Sequence, residues 1–207
     1  LNSGNSNYYS IANEYRFDYI PKNKNQLRQF IIAKYNYSKN ETTIIKNNLF
    51  AHYRLIKEIN NKHSYEFFIQ NESDSFKDLK NRFLFGLSRR KNNITLKKIN
   101  ITLGIGLMNE YEKYSNQSST THSIRMTNNF IATKSLGKTL NLYWINYHQP
   151  KLSNFSNFKI LSIFELKNQI NKKVAISTIL KYDYDGNTPI QYSSSNIKLT
   201  QKFKFKI

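Results

Sequence analysis

The sequence predicts an all-β fold, an antiparallel transmembrane β-barrel, from three observations. Apolar and polar residues alternate over most of the 207 residues, the period-two pattern of strands with two unlike faces. The alternation persists to the chain end, where Ile197, Leu199, Gln201, Phe203, Phe205 and Ile207 interleave with Lys198, Thr200, Lys202, Lys204 and Lys206. A water-soluble chain usually hides such a strand, whereas a barrel closes its last strand on its first, apolar side chains to lipid and polar ones to the lumen. Finally, the connections alternate between short and longer, as short periplasmic turns and longer outer loops do.

Taken in order, Tyr9, Ile11, Tyr15, Phe17 and Tyr19 alternate with Ser10, Ala12, Glu14, Arg16 and Asp18, and a polar turn follows at 21–25. Residues 26–38 form a less regular strand, with Leu27, Ile31, Ala33, Tyr35 and Tyr37 in phase. Residues 43–59 set Ile45, Leu49, Ala51, Tyr53 and Leu55 against Lys46, Asn48, His52, Arg54 and Glu58. Residues 63–74 set Tyr65, Phe67 and Ile69 against Glu66, Gln70 and Glu72, and residues 79–90 set Phe83, Phe85 and Leu87 against Arg82, Gly86 and Ser88. Residues 98–114 are the cleanest run: Ile99, Ile101, Leu103, Ile105, Leu107 and Tyr111 oppose Asn100, Thr102, Gly104, Gly106, Glu110 and Glu112, with no helical period.

Further strands are expected at 122–134, 138–148, 157–167, 173–183 and 197–207. Short connections fall at 60–61, 135–137 and 168–172, longer ones at 73–77, 115–121, 150–156 and 185–195. Eleven candidates make an odd count, and bacterial barrels are normally even. A twelfth strand is therefore expected in the intact protein, ahead of the polar segment 1–7, and residues 1–207 are read as one barrel domain.

The formal net charge of +19 raises nucleic acid as a partner. The abundance of Asn, Lys, Ile, Tyr and Phe favours a compositional origin for the lysines, so no nucleic-acid partner is expected. The absence of cysteine excludes disulfides and thiolate metal sites. No apolar run reaches the roughly 18–20 residues of a membrane helix, and no leader precedes Leu1, so a mature form or a fragment is expected.

Four places resemble a known family, the YdiY-like outer-membrane proteins (DUF481, salt-induced outer-membrane protein). Ser3-Gly4-Asn5 is similar to its early Ser-Gly-Asn. Phe85-Gly86-Leu87 and Leu103-Gly104-Ile105-Gly106-Leu107, followed by Glu110 and Glu112, resemble its central Gly-rich strand pair. Tyr147 with Pro150 resembles its corner, and Asp183 and Asp185 before the alternating end resemble its last hairpin. The resemblance spans the chain and implies a barrel in a Gram-negative outer membrane, with no established reaction.

The polar faces carry both signs of charge. Glu14, Arg16, Asp18, Arg54, Glu66, Arg82, Glu110, Glu112, Lys181, Asp183, Lys198, Lys202 and Lys204 would face a lumen. These residues could line a solute-selecting pore or pair with one another in a filled lumen; the Lys-rich last strand would favour anions if a pore is open. Glu110 and Glu112 lie about 7 Å apart along a strand and are expected to meet Arg82 or Arg54 instead of performing acid–base work. His52, His63, His122 and His148 show no metal-ligand spacing, and neither a nucleophile elbow nor a phosphate loop is present. No enzymatic activity and no cofactor are expected.

Tyr8, Tyr9, Tyr19, Tyr111, Tyr114, Trp144, Tyr147, Tyr182 and Tyr184 are candidates for aromatic girdles at the two rims. The expected partners are outer-membrane lipid, the barrel-assembly machinery and small solutes. The alternative is a soluble basic β protein of ribosomal or organellar type that stacks RNA bases on its aromatics.

Overall fold

The computed structural model describes residues 8–22, 27–41, 43–115, 120–188 and 193–205. The strands are β1 (Tyr8–Tyr19), β2 (Arg28–Asn40), β3 (Thr43–Glu58), β4 (His63–Asp74), β5 (Leu79–Leu96), β6 (Ile99–Tyr114), β7 (Thr121–Met126), β8 (Asn128–Leu136), β9 (Leu140–Lys151), β10 (Asn154–Gln169), β11 (Val174–Asp185) and β12 (Ser195–Phe205). A short 3-10 turn, Ser75–Lys77, joins β4 to β5. The segments 1–7 and 206–207, including Ser3-Gly4-Asn5 and Ile207, lie outside the described residues.

The twelve strands form one sheet, ordered by sequence. Both β7 and β8 lie between β6 and β9, so twelve strands fill eleven positions, the number of strands expected from the alternation. Neighbours pair antiparallel in simple hairpins; β1 meets β2 from Tyr8↔Asn40 to Tyr19↔Gln29, and β11 meets β12 from Val174↔Phe205 to Tyr184↔Ser195. The break in the shared position falls at Thr127, whose N–H donates to the Gly106 carbonyl.

Several boundaries differ from the sequence expectation. Strand β5 extends past Arg90 to Leu96, because the lysine pair Lys97-Lys98 makes the turn. Both lysines take positive φ (45° and 66°), the conformation a two-residue hairpin turn requires and Asn-Gly adopts most readily. The expected long connection at 150–156 shrinks to residues 152–153, since β10 begins at Asn154 and carries a register shift between Asn154 and Phe158. With eight residues between β1 and β2, the alternation of short and long connections is less regular than expected.

Two compact units are distinguished, residues 1–58, 65–87 and 107–124, and residues 59–64, 88–106 and 125–207. Each is built inside out. In the first, Glu66, Glu110 and Glu112 are 3%, 0% and 2% exposed, while Ile31, Leu49, Tyr65 and Leu107 are exposed. In the second, Arg125, Asn129 and Lys159 are buried, while Leu103, Ile105, Leu180 and Leu199 are exposed. Burying apolar area is the main drive to fold in water, and unpaired charge is expensive to bury. This arrangement is the reverse of what burial in water favours.

The first unit holds one apolar cluster on its polar face, Phe68, Leu84 and Met108. Gly86 makes room for it: a Cβ there would stand 2.6 Å from the Phe68 ring, 2.7 Å from the Leu107 carbonyl oxygen and 2.8 Å from Met108 Cβ.

Candidate functional site

The candidate site is the charged face of the first unit, where strand alternation brings even-numbered residues of β3, β4, β5 and β6 together. Arg82 on β5 is its centre. Its Nη2 and Nε lie 2.7 and 2.9 Å from Glu110 Oε1, its Nε lies 3.3 Å from Glu112 Oε1, and its Nη1 lies 3.5 Å from Glu72 Oε2. The expected meeting of Glu110 and Glu112 with Arg82 is thus observed, and Glu72 joins them.

The network continues from Glu72. Gln70 Nε2 donates to Glu72 Oε2 (3.1 Å), and Gln70 Oε1 lies 3.1 Å from His52 Nδ1. Arg54 Nε donates to His52 Nε2 (3.2 Å), and Arg54 Nη1 lies 3.5 Å from Glu66 Oε2. Because Arg54 can only donate, Nε2 of His52 accepts and the ring proton sits on Nδ1, facing Gln70; the imidazole is neutral. Aromatic rings of Phe30, Phe50 and Phe68 stack on His52, and the Arg54 guanidinium lies over Phe30 and Phe68, 5.4 and 5.7 Å from the ring centres. Planar stacking and fork-shaped donation are what a guanidinium does and an ammonium does not.

The other expected charges form separate pairs. Arg16 grips Asp18 through two bonds of 2.6 and 2.8 Å at exposed positions on β1, and half-buried Lys34 on β2 lies 3.0 Å from exposed Glu14. In the second unit, Lys181 lies 3.7 Å from Asp183. On β12, Lys198, Lys202 and Lys204 are exposed and sit opposite Lys181, Ser177 and Ala175.

A second buried construction was not foreseen. Pro150, buried near the end of β9, has no N–H to give to the ladder, and β10 bulges opposite it. Arg125 fills the resulting gap. It is fully buried, and its Nη1 donates to the carbonyls of Gln149 (3.1 Å) and Asn157 (3.2 Å) while Nη2 donates to Asn157 Oδ1 (2.9 Å). The sequence pattern places Pro150 in the connection 150–156; the structure keeps it within β9, where a proline calls for a bulge and leaves carbonyls in need of a donor.

The aromatics divide. Tyr8, Tyr9, Tyr19 and Tyr111 are exposed near strand ends, whereas Tyr114 is 3% exposed. Trp144 is exposed but lies mid-strand, pairing with Ala132 and Phe164, and its indole donates to Ser162 Oγ (3.0 Å). Among the described residues no group of three or more His, Asp or Glu could hold a metal ion.

An antiparallel sheet that buries ion pairs and exposes apolar side chains has the character of a porin-type β-barrel protein. A solved structure titled "NanC porin structure in rhombohedral crystal form" is similar to this chain with a TM-score of 0.52 at 12% identity, covering 96% of this chain and 99% of that one. The chain belongs to the family described as "Protein of unknown function, DUF481", which matches residues 1–207. No curated protein matches it in sequence.

Proposed function

We propose that this protein is an outer-membrane β-barrel of a Gram-negative envelope, without enzymatic chemistry, that conducts small solutes or contributes structure. The inverted polarity of both units carries this reading. Buried Glu110, Glu112 and Arg125 beside exposed Leu103, Leu107 and Leu180 suit a sheet bathed in lipid on one face. Its partners on this reading are outer-membrane lipid, the assembly machinery that inserts it, and small solutes. The lysines of β12 favour anions wherever solute passes them. The RNA-binding reading asks for one local aromatic platform beside lysines, and the exposed apolar side chains instead recur on strand after strand.

Heat modifiability is the test. Protein refolded in detergent is run unboiled and boiled on an SDS gel, with a circular dichroism spectrum of the unboiled sample. A shift on boiling with a β spectrum is expected. Solubility without detergent, no shift, and RNA affinity falling steeply with salt would overturn the proposal. Planar-bilayer conductance then separates a channel from a structural protein.

A further inference from the structure

The second unit has a cleft of 660 Å³ where the turn between β10 and β11 meets the start of β11 and the end of β12. Lys167, Lys172, Lys173 and Lys204 line it, with Gln169 and Thr139, and no acidic residue among the described residues does. Register explains the convergence. Gln169, Ala175 and Lys204 share one rung across β10, β11 and β12, and Lys167, Ser177 and Lys202 share the rung two residues further from the turn. Paired residues project from the same face, so both rungs aim lysines to one side. Glu165, the acid nearest in register, stands a further rung away, level with Ile179.

The turn that supplies the other two lysines is fixed from within. Asn171 Oδ1 accepts the N–H groups of Lys173 (2.8 Å) and Val174 (2.9 Å). Gln169 Nε2 donates to the carbonyls of Asn171 (2.7 Å) and Val174 (3.3 Å), and the Gln169 N–H donates to Thr139 O (2.8 Å). The backbone polar groups are occupied, and Lys172 and Lys173 stand exposed over the cleft.

We infer that this cleft binds an anion bearing phosphate groups with two or more negative charges. Four ammonium groups without a carboxylate repel one another, and an anion of multiple charge relieves all of them at once. Ammonium groups act as rotatable point charges that suit tetrahedral phosphate oxygens, and a phosphate can carry more charge per group than a carboxylate. The source is either a soluble phosphate compound or the phosphates of a lipid headgroup. The cleft needs no open lumen, so the inference stands or falls apart from conductance.

Pyrophosphate titrated calorimetrically into the detergent-refolded protein at fixed ionic strength tests it. Saturable binding at one site is expected, weakened about tenfold or more in the Lys172→Gln/Lys173→Gln variant and again by Lys167→Gln. Lys97→Asn/Lys98→Gly removes the same charge from another turn with residues that suit its backbone, and is expected to leave affinity unchanged within about twofold. A boiling shift verifies that each variant is folded. Repeating the titration in micelles containing cardiolipin, whose headgroup carries two phosphates, separates the sources: undiminished pyrophosphate binding assigns a soluble ligand, and competitive loss in the wild type assigns a headgroup. No saturable binding, or equal weakening by the two double variants, would overturn the inference.

Discussion

At the scale of single residues, one arginine and two glycines make distinct demands. Arg82 holds Glu110 and Glu112, both almost wholly out of water, so Arg82→Met removes a buried guanidinium from beside two buried carboxylates. We expect a loss of about 3–5 kcal/mol in the urea unfolding of the detergent-refolded protein. Arg82→Met/Glu110→Gln should recover part of it, since one buried charge goes with its partner. Gly86 and Gly104 read alike in the sequence but differ in surroundings. A methyl group at Gly86 meets a backbone carbonyl and a packed ring, so Gly86→Ala should cost about 1–3 kcal/mol. At Gly104 the nearest atoms belong to the side-chain amide of Asn129 and not to backbone, and a side chain yields more readily, so the cost by the same measurement should be smaller. The Gly motif was visible in the chain; which glycine is indispensable was not, because that depends on what lies across the strand.

The element that sequence periodicity described least well is the β7–β8 position with its neighbours β9 and β10. Alternation fixes which face a residue takes but is silent about a bulge, which shifts register without changing composition. Pro150 marks where the ladder must fail, and Arg125 shows how the failure is repaired. Arg125→Lys keeps the charge yet puts one nitrogen where Nη1 and Nη2 stand, so the two carbonyls and Asn157 Oδ1 cannot all be served from one position. Each orphaned buried acceptor costs about 1–3 kcal/mol, and Arg125→Lys should lower the urea midpoint nearly as far as Arg125→Met. A full rescue by lysine would show that charge alone matters there. The hairpins themselves were legible, since their strands are long and regular; the turns were less so. Lys97-Lys98 carries no turn signature, and only the positive φ of both residues reveals it.

For the molecule as a whole, the inverted distribution of polarity was legible because it is written as simple alternation in every strand. The pairing of particular charges was legible in part. Arg82 with Glu110 and Glu112 could be guessed from opposite signs on neighbouring strands, whereas the route through Gln70 and His52 to Glu66 needs three-dimensional adjacency. A direct check of the apolar face is Leu180→Lys, mid-strand in β11 and exposed. In a water-soluble protein an exposed Leu→Lys change is nearly neutral. On a lipid-facing strand at mid-depth it should cost about 2–4 kcal/mol when the protein is refolded in bilayers. The same alternation also hides the apolar face from anything that reads the chain residue by residue. Mean hydropathy is −0.66, the value of an ordinary hydrophilic polypeptide. On the proposed reading, a translocation pore that halts on sustained greasy stretches would meet none in these 207 residues long enough to retain. Only on folding do the scattered apolar residues sort onto one side of each strand, so what the composition conceals the pleat displays.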